Sequence, residues 1–230
     1  MITPYDWQEG IGHRAQYVES RLAGGVPVIA VSLNAGLLCV TYRRQSRKVY
    51  EIYDRLMFAG LGQQSDVEAL RAAAIDFSHQ EGFQRSEKDV TIQRVVAAIS
   101  DPIKRSFADF SSPPVVARSI FMQVGEGPEL DRYYEIDYDG DFSSARGACF
   151  LSGSEEQTQI LKSGLDDMKM DGMGVDEAVS QLDALIVKAL DPQGEMSHEQ
   201  TIAGLTLEAA ILDRTSESQR VFTLLHGDWD

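Results

Sequence analysis

The chain has 230 residues, 43% of them hydrophobic and 25% charged, and a formal net charge of −15. This composition excludes wholesale disorder, and no apolar run approaches the ~20 residues that span a bilayer. The negative charge disfavours nucleic acids and anionic membranes as partners, because phosphate binding needs clustered Lys and Arg.

The start of the chain predicts an arm followed by a helix. Residues 1–9 show no periodic pattern and are predicted to form an N-terminal arm, and residues 10–230 a single domain. Apolar side chains at spacings of three and four predict a helix over 10–22. This helical face consists of Ile11, Ala15, Val18 and Leu22.

The rest of the chain holds runs of strands and runs of helices. The predicted strands are 26–33, 37–42, 50–52, 56–61, 115–124, 132–136, 148–151, 205–212 and 221–225. The predicted helices are 65–81, with a capping box of Ser65 and Glu68; 87–110; 154–169, beginning at Ser154; and 175–190. Gly60 and Gly62 indicate close packing or a turn where a strand ends.

Runs of strands and helices, without strict alternation, favour antiparallel sheets with helices on the outer faces. We therefore predict an α+β protein, a four-layer αββα sandwich with an extra N-terminal helix. Cys39 and Cys149 lie in apolar strand-like runs and are predicted to be buried free thiols. Free thiols and the lack of a signal peptide favour a cytoplasmic protein.

No motif for a cofactor or a metal is present. The chain has no Walker loop, no GxGxxG after a strand, no HExxH and no CxxC, and its four histidines lack metal-ligand spacing. His13 and His79 are interpreted as surface residues, and no cofactor is expected. The acidic stretch that contains Asp131, Asp137, Asp139 and Asp141 is interpreted as a solvated turn.

The predicted sandwich is the plan of the N-terminal-nucleophile hydrolases. These enzymes expose a Thr, Ser or Cys at the free start of the first strand, where its own α-amine helps to activate it. Here Val26 and Pro27 stand at that start, and Ser32 and Cys39 fall within strands. The sequence therefore predicts the scaffold without the nucleophile.

Several segments in collinear order resemble one family. They are residues 3–5 (Thr-Pro-Tyr), 48–56 (Lys-Val-Tyr-Glu-Ile-Tyr-Asp-Arg-Leu), 134–140 (Tyr-Glu-Ile-Asp-Tyr-Asp-Gly) and 207–214 (Leu-Glu-Ala-Ala-Ile-Leu-Asp-Arg). Together they resemble the alpha subunit of the bacterial, actinobacterial-type proteasome core particle over nearly the whole chain. The turn after the first strand, residues 191–201 and residues 228–230 depart from the family pattern.

The resemblance implies a role for Lys48. Catalytic beta subunits of this family use an N-terminal Thr, an Asp that closes the second strand and a Lys before the third. The Thr position is lost here behind an N-terminal extension, the Asp position is Thr41, and the Lys is retained as Lys48. In alpha subunits this Lys lies in a pocket between neighbours, where the C-terminal tail of an ATPase activator inserts. Without the resemblance, Lys48 is an ordinary exposed lysine beside a strand, in a local basic cluster with Arg43, Arg44 and Arg47.

The resemblance also implies an assembly. We expect a non-catalytic subunit that forms a heptameric ring on rings of proteasome beta subunits and admits unfolded polypeptides. Thr3, Pro4 and Tyr5, in the arm, are expected to gate the pore. Two alternatives stay open: an active threonine-type or other N-terminal-nucleophile hydrolase of a self-compartmentalising bacterial protease, and a free-standing scaffold protein.

Overall fold

The computed structural model describes residues 4–216 and 221–227, with side chains from residue 6 onward. The strands are β1 (Val28–Ser32), β2 (Gly36–Arg43), β3 (Val49–Tyr53), β4 (Leu56–Gly62), β5 (Ala117–Gln123), β6 (Arg132–Ile136), β7 (Phe142–Ala145), β8 (Ala148–Leu151), β9 (Thr206–Asp213) and β10 (Phe222–His226). The helices are α1 (Pro4–Leu22), α2 (Gln64–Gln84), α3 (Ile92–Ala108), α4 (Glu155–Asp167), α5 (Val175–Leu190) and α6 (His198–Thr201), with 3-10 turns at Glu87–Asp89 and Pro128–Leu130.

Within the described residues, the strands form two antiparallel sheets of five strands each. Their orders are β10-β9-β2-β1-β8 and β3-β4-β5-β6-β7. In the first sheet Ala30 pairs with Cys39 on one side and with Cys149 on the other. The two thiols therefore lie on either side of β1, buried and free, as predicted.

Three apolar layers hold the elements together. The two sheets pack face to face through side chains such as Met122 and Tyr133. Helices α4 and α5 cover the outer face of the first sheet, where Leu182 packs in one cluster with Ile29. Helices α2 and α3 cover the second sheet in the same way. Because both faces of β1 and β2 are covered, each of their residues is buried. The predicted αββα sandwich is confirmed.

Helix α1 begins earlier than predicted. It runs from Pro4, so residues 4–9 are helical and the arm without regular structure that was predicted over 1–9 is wrong for them. Proline is favoured in the first helical turn, where its missing N–H is not needed. Trp7 extends the apolar spacing of the helix by one turn, and its ring meets that of Phe110 edge-on at 4.9 Å.

The predicted helix caps have different outcomes. The Ser154 side chain accepts a hydrogen bond from the backbone N–H of Gln157 and begins α4, as predicted. The capping box of Ser65 and Glu68 is wrong, because the cap residue of α2 is Gln63. Glu68 instead accepts hydrogen bonds from Tyr50 and Arg71.

Gly62 ends β4 in a conformation that favours glycine. Its φ is +142°, and a Cβ there would lie 2.2 Å from the carbonyl oxygen of Val116. Gly60 packs against Val67, which confirms the close packing expected of these glycines.

Asp131 is not part of a solvated turn. It is 2% exposed and forms two 2.9 Å contacts with the guanidinium of Arg214, which follows β9. Arg214 also donates to the carbonyl oxygens of Leu33 and Gly125. This buried pair therefore ties together three connections between strands.

Within the described ranges, no helix combines the length and apolar character of a membrane span.

Candidate functional site

Lys48 lies in the turn between β2 and β3, and its ammonium group is hydrogen-bonded to two oxygen atoms of the sandwich. Nζ donates to the carbonyl oxygen of Val26 at 2.6 Å and to Oγ1 of Thr41 at 3.3 Å. Thr41 is fully buried, and its hydroxyl donates to the carbonyl oxygen of Pro27 at 2.6 Å. The structure thus brings together Lys48 and Thr41, and it adds the backbone that leads into β1.

A carboxylate that the sequence analysis did not single out completes this group. Glu208, on β9, pairs directly across from Thr41 and is 0% exposed. Its two oxygens accept hydrogen bonds from the backbone N–H of Lys48 at 2.9 Å and of Val49 at 3.3 Å, and from Nε of Arg47 at 3.3 Å. The signal in the sequence is a lone acid inside the apolar run 205–212.

Burial and charge act on Lys48 in opposite directions. Removal of the ammonium from water lowers the pKa of Lys48 to about 8, while the negative charge of Glu208 raises it. Lys48 is therefore a lysine that is still mostly charged at neutral pH and that loses its charge in a mildly alkaline solution.

A cavity of about 320 Å³ opens beside Lys48. Arg44 and Lys48 supply positive charge to it, and among the described residues that line it none is acidic. In a chain with a net charge of −15, such a cavity is suited to an anion. The remaining lining residues are Gly24, Gly25, Val26, Tyr42, Gln45, Ser46, Leu61, Gly62 and Gln64.

The basic cluster of residues 43–48 is not a continuous surface patch. Arg43 is 8% exposed and donates to the carbonyl oxygen of Gln45. Arg47 is paired with Glu208. Arg44 is exposed, so it and Lys48 are the two basic side chains that line the cavity.

The residues expected to gate a pore stand at the start of the described chain. Thr3 lies outside the described residues, and Pro4 and Tyr5 lie in the first turn of α1. The helix behind them is firmly anchored: the Arg14 guanidinium donates to the carbonyl oxygens of Ser106 and Ser112 at 3.0 Å. Ser106 lies in the last turn of α3, where a cation is favourable, and Ser112 lies in the turn that follows the helix.

An ion pair anchors the other end of α1. Arg118, on β5, lies 2.7 Å from Glu19 of α1 and 3.0 Å from Asp137. It also donates to the carbonyl oxygen of Ser152. Helix α1 is thereby tied to both sheets.

A larger cavity, of about 950 Å³, lies along β8 and contains Cys149. Burial raises the pKa of the Cys149 thiol to about 12, which keeps it protonated and unreactive. Burial likewise raises the pKa of Cys39.

The described histidine, cysteine and acidic side chains form no metal site. His13 and His79 are exposed, as predicted, and the His79 ring meets that of Tyr53 edge-on. Among the residues that the structure describes, no cluster of three or more His, Cys, Asp or Glu side chains is arranged to bind a metal ion.

Comparison with known proteins gives one consistent result. A family model described as "Proteasome subunit" matches residues 23–203. "Proteasome subunit alpha" of Xylanimonas cellulosilytica is 31% identical over 219 residues, which cover 93% of this chain and 87% of that protein. The same-named proteins of Streptomyces scabiei and Frankia casuarinae are 30% and 26% identical, each over 99% of this chain and over 90% and 95% of their own lengths.

Proposed function

The chain belongs to the proteasome subunit family, and from that premise we propose that it is a non-catalytic alpha-type subunit of a bacterial, cytoplasmic proteasome core particle. The observation that carries this is the backbone beside Lys48. Catalysis by an N-terminal nucleophile needs a free amine at the start of β1. Here the carbonyl oxygens of Val26 and Pro27 occupy that place, hydrogen-bonded to Lys48 and Thr41, and the chain before them continues into α1.

The test is co-expression with a bacterial proteasome beta subunit. We expect a particle of stacked rings that cleaves peptides, in which a threonine-directed covalent inhibitor labels the beta subunit alone. Intact mass then gives the N-terminus of this chain. Labelling of this chain, or a mass that begins at a Ser, Thr or Cys, would favour the alternative hydrolase.

The partners that we propose are further copies of this chain in a heptameric ring and a ring of beta subunits. Closed rings use heterologous contacts, so each copy presents two different faces. We expect the purified chain to sediment as an oligomer, and a monomer that does not assemble with any beta subunit would contradict the proposal.

We propose that the cavity beside Lys48 binds the C-terminal tail of an ATPase activator. A terminal carboxylate suits a site with two basic side chains and no acid among its described lining residues. The acidic surroundings enhance this selectivity, because an anion gains attraction at this point and meets repulsion elsewhere.

We propose that Thr3, Pro4 and Tyr5 belong to the gate of the ring pore, which admits unfolded polypeptides. The anchoring of α1 through Arg14 and Glu19 supports this, because a fixed helix holds its own first turn, which contains Pro4 and Tyr5, at a fixed place. The first turn of a helix can block an axial pore by its volume and can unwind at low cost.

A further inference from the structure

Glu208 is a buried carboxylate whose side-chain hydrogen bonds within the described residues come from Arg47, Lys48 and Val49. It accepts from the backbone N–H groups of Lys48 and Val49 and from Arg47, and it is 0% exposed. A buried carboxylate is costly unless cations and donors satisfy it. Two backbone donors and a guanidinium meet that need here, with the Lys48 ammonium close enough to interact.

The hydrogen bonds of Glu208 fix the path of the backbone in the turn, and its carboxylate stands beside the basic side chains of that turn. Because Glu208 pairs across from Thr41, its carboxylate lies one strand away from the position where a catalytic subunit has an aspartate. It holds the backbone at residues 48 and 49, from which the Lys48 side chain reaches Val26 and Thr41. Displacement of this backbone would move the ammonium relative to the cavity.

The charged and titratable groups around Lys48 come from three parts of the fold. Glu208 comes from β9, Cys39 and Tyr42 from β2, and Arg44 and Arg47 from the turn itself. The thiol and the phenol are neutral near pH 7, because burial raises the pKa of each. Among these groups Glu208 is the one carboxylate.

We propose that Glu208 is the positioning residue of the Lys48 cavity: it fixes the backbone that carries the ammonium and sets a carboxylate beside it, so that the cavity binds an anion. The identification of the anion as a peptide carboxylate rests on the proposed docking function. The effect of Glu208 on Lys48 is inferred from the contacts of Glu208, independently of the docking function.

The first test measures the titration of Lys48 by its rate of acylation. Acetic anhydride is applied to the assembled protein between pH 6 and 10, and the modified lysines are quantified by mass spectrometry. The chain has six lysines, and the five others serve as internal references. In the wild type we expect a midpoint near pH 8, in line with the lowered pKa of Lys48.

Glu208→Gln retains the size of the side chain and removes its charge. We expect its Lys48 midpoint to fall by about one pH unit, which at pH 7.5 reduces the charged fraction about threefold. Glu68→Gln is the matched control, because Glu68 contacts Tyr50 and Arg71; its midpoint should equal that of the wild type. A midpoint that stays unchanged in Glu208→Gln would overturn the proposal, even if the variant melts at a lower temperature.

Arg47→Gln covers the case in which Glu208→Gln does not fold. It removes the guanidinium that shares the Glu208 carboxylate, so the Lys48 midpoint should rise. A fall or no change would contradict the proposal.

The second test uses the peptide Ac-Ala-Ala-Ala-Leu, with either a free carboxylate or a C-terminal amide. The free acid should slow acylation of Lys48 in the wild type and the amide should not, and Glu208→Gln should lose this protection. If the acid gives no protection in the wild type while the midpoint still shifts in Glu208→Gln, the docking function fails and the role of Glu208 stands. Protection that persists unchanged in Glu208→Gln would overturn the role of Glu208 and leave the docking function intact.

Discussion

The hydroxyl of Thr41 donates a 2.6 Å hydrogen bond to the carbonyl oxygen of Pro27, the residue before β1. Thr41 stands where the family resemblance places a catalytic aspartate, and its hydrogen bond holds the backbone that enters the strand. Lys48 does the same one residue earlier, at Val26. Both side chains therefore fix the chain that enters β1, and that of Lys48 also brings a positive charge to the cavity.

Lys48→Ala should weaken the binding of an activator tail without disrupting the ring. A charge-assisted contact contributes about 1.5–3 kcal/mol, which corresponds to a ten- to hundredfold loss of affinity per site. Binding is measured on particles purified by size, with Lys188→Ala on the exposed face of α5 as a control for net charge. Equal affinities for Lys48→Ala and the control would exclude Lys48 from docking.

Deletion of residues 1–5 should open the pore while retaining the anchor of α1. Trp7, Arg14 and Glu19 keep their contacts in this variant, so the ring should assemble normally. We expect cleavage of a long unfolded polypeptide to rise at least about twofold, because the occluding volume is removed. A short fluorogenic peptide, measured in parallel, should respond less. Unchanged rates for both substrates would argue against a gate at Thr3, Pro4 and Tyr5.

The stability of the protein should depend on pH through Lys48. Its pKa falls from 10.5 in a free side chain to about 8 in the folded protein. Between these values the unfolded chain binds more protons, so the free energy of unfolding contributed by Lys48 rises with pH through this window. The slope should stay below about 1.4 kcal/mol per pH unit, because a single group can change the bound protons by one at most.

Lys48→Met removes this titration and provides the comparison. Denaturant unfolding of both proteins at pH 7.5, 8.5 and 9.5 gives the difference in their unfolding free energies. We expect the unfolding free energy of the wild type to increase relative to that of the variant as the pH rises. A constant difference between the two would show that Lys48 titrates as an exposed lysine.

Asp131→Ala should destabilise the fold strongly. It leaves the buried guanidinium of Arg214 without its carboxylate, a change that costs about 3–5 kcal/mol. Asp101→Ala breaks an ion pair with Arg105 whose side chains are 57% and 79% exposed, and it should cost less than about 0.5 kcal/mol. Thermal or denaturant unfolding of both variants checks the contrast, and similar losses would refute it.

Local patterns of apolar residues in the sequence predicted most of the fold. The strands 132–136 and 148–151 and the helix 175–190 have the predicted bounds, because apolar periodicity reports the buried face of an element directly. The start of α1 was missed because its apolar spacing begins at Trp7, close to a proline that also suits an irregular arm. Strand β7 was missed because its first three residues are exposed, so it shows no alternation.

The site depended on relationships that local patterns do not contain. Lys48 was found through the family resemblance, whereas Glu208 acquires its role from the pairing of β9 with β2. Asp131 looked like one acid among several, and its burial depends on Arg214, which is far away in the sequence. Partners so distant in the chain become visible once the sheets are assembled.

Gly62 limits how the cavity beside Lys48 can change during evolution. Any other residue there would meet the Val116 carbonyl and adopt an unfavourable φ, so the pairing of β4 with β5 would have to break before a side chain could fill the cavity from this side. At Gly24, on the same rim, a Cβ would meet no atom within 4 Å. Single substitutions at Gly24 can therefore narrow the opening at little cost to folding, whereas Gly62 stays fixed. Differences in ligand preference among related chains should accumulate at Gly24 and not at Gly62.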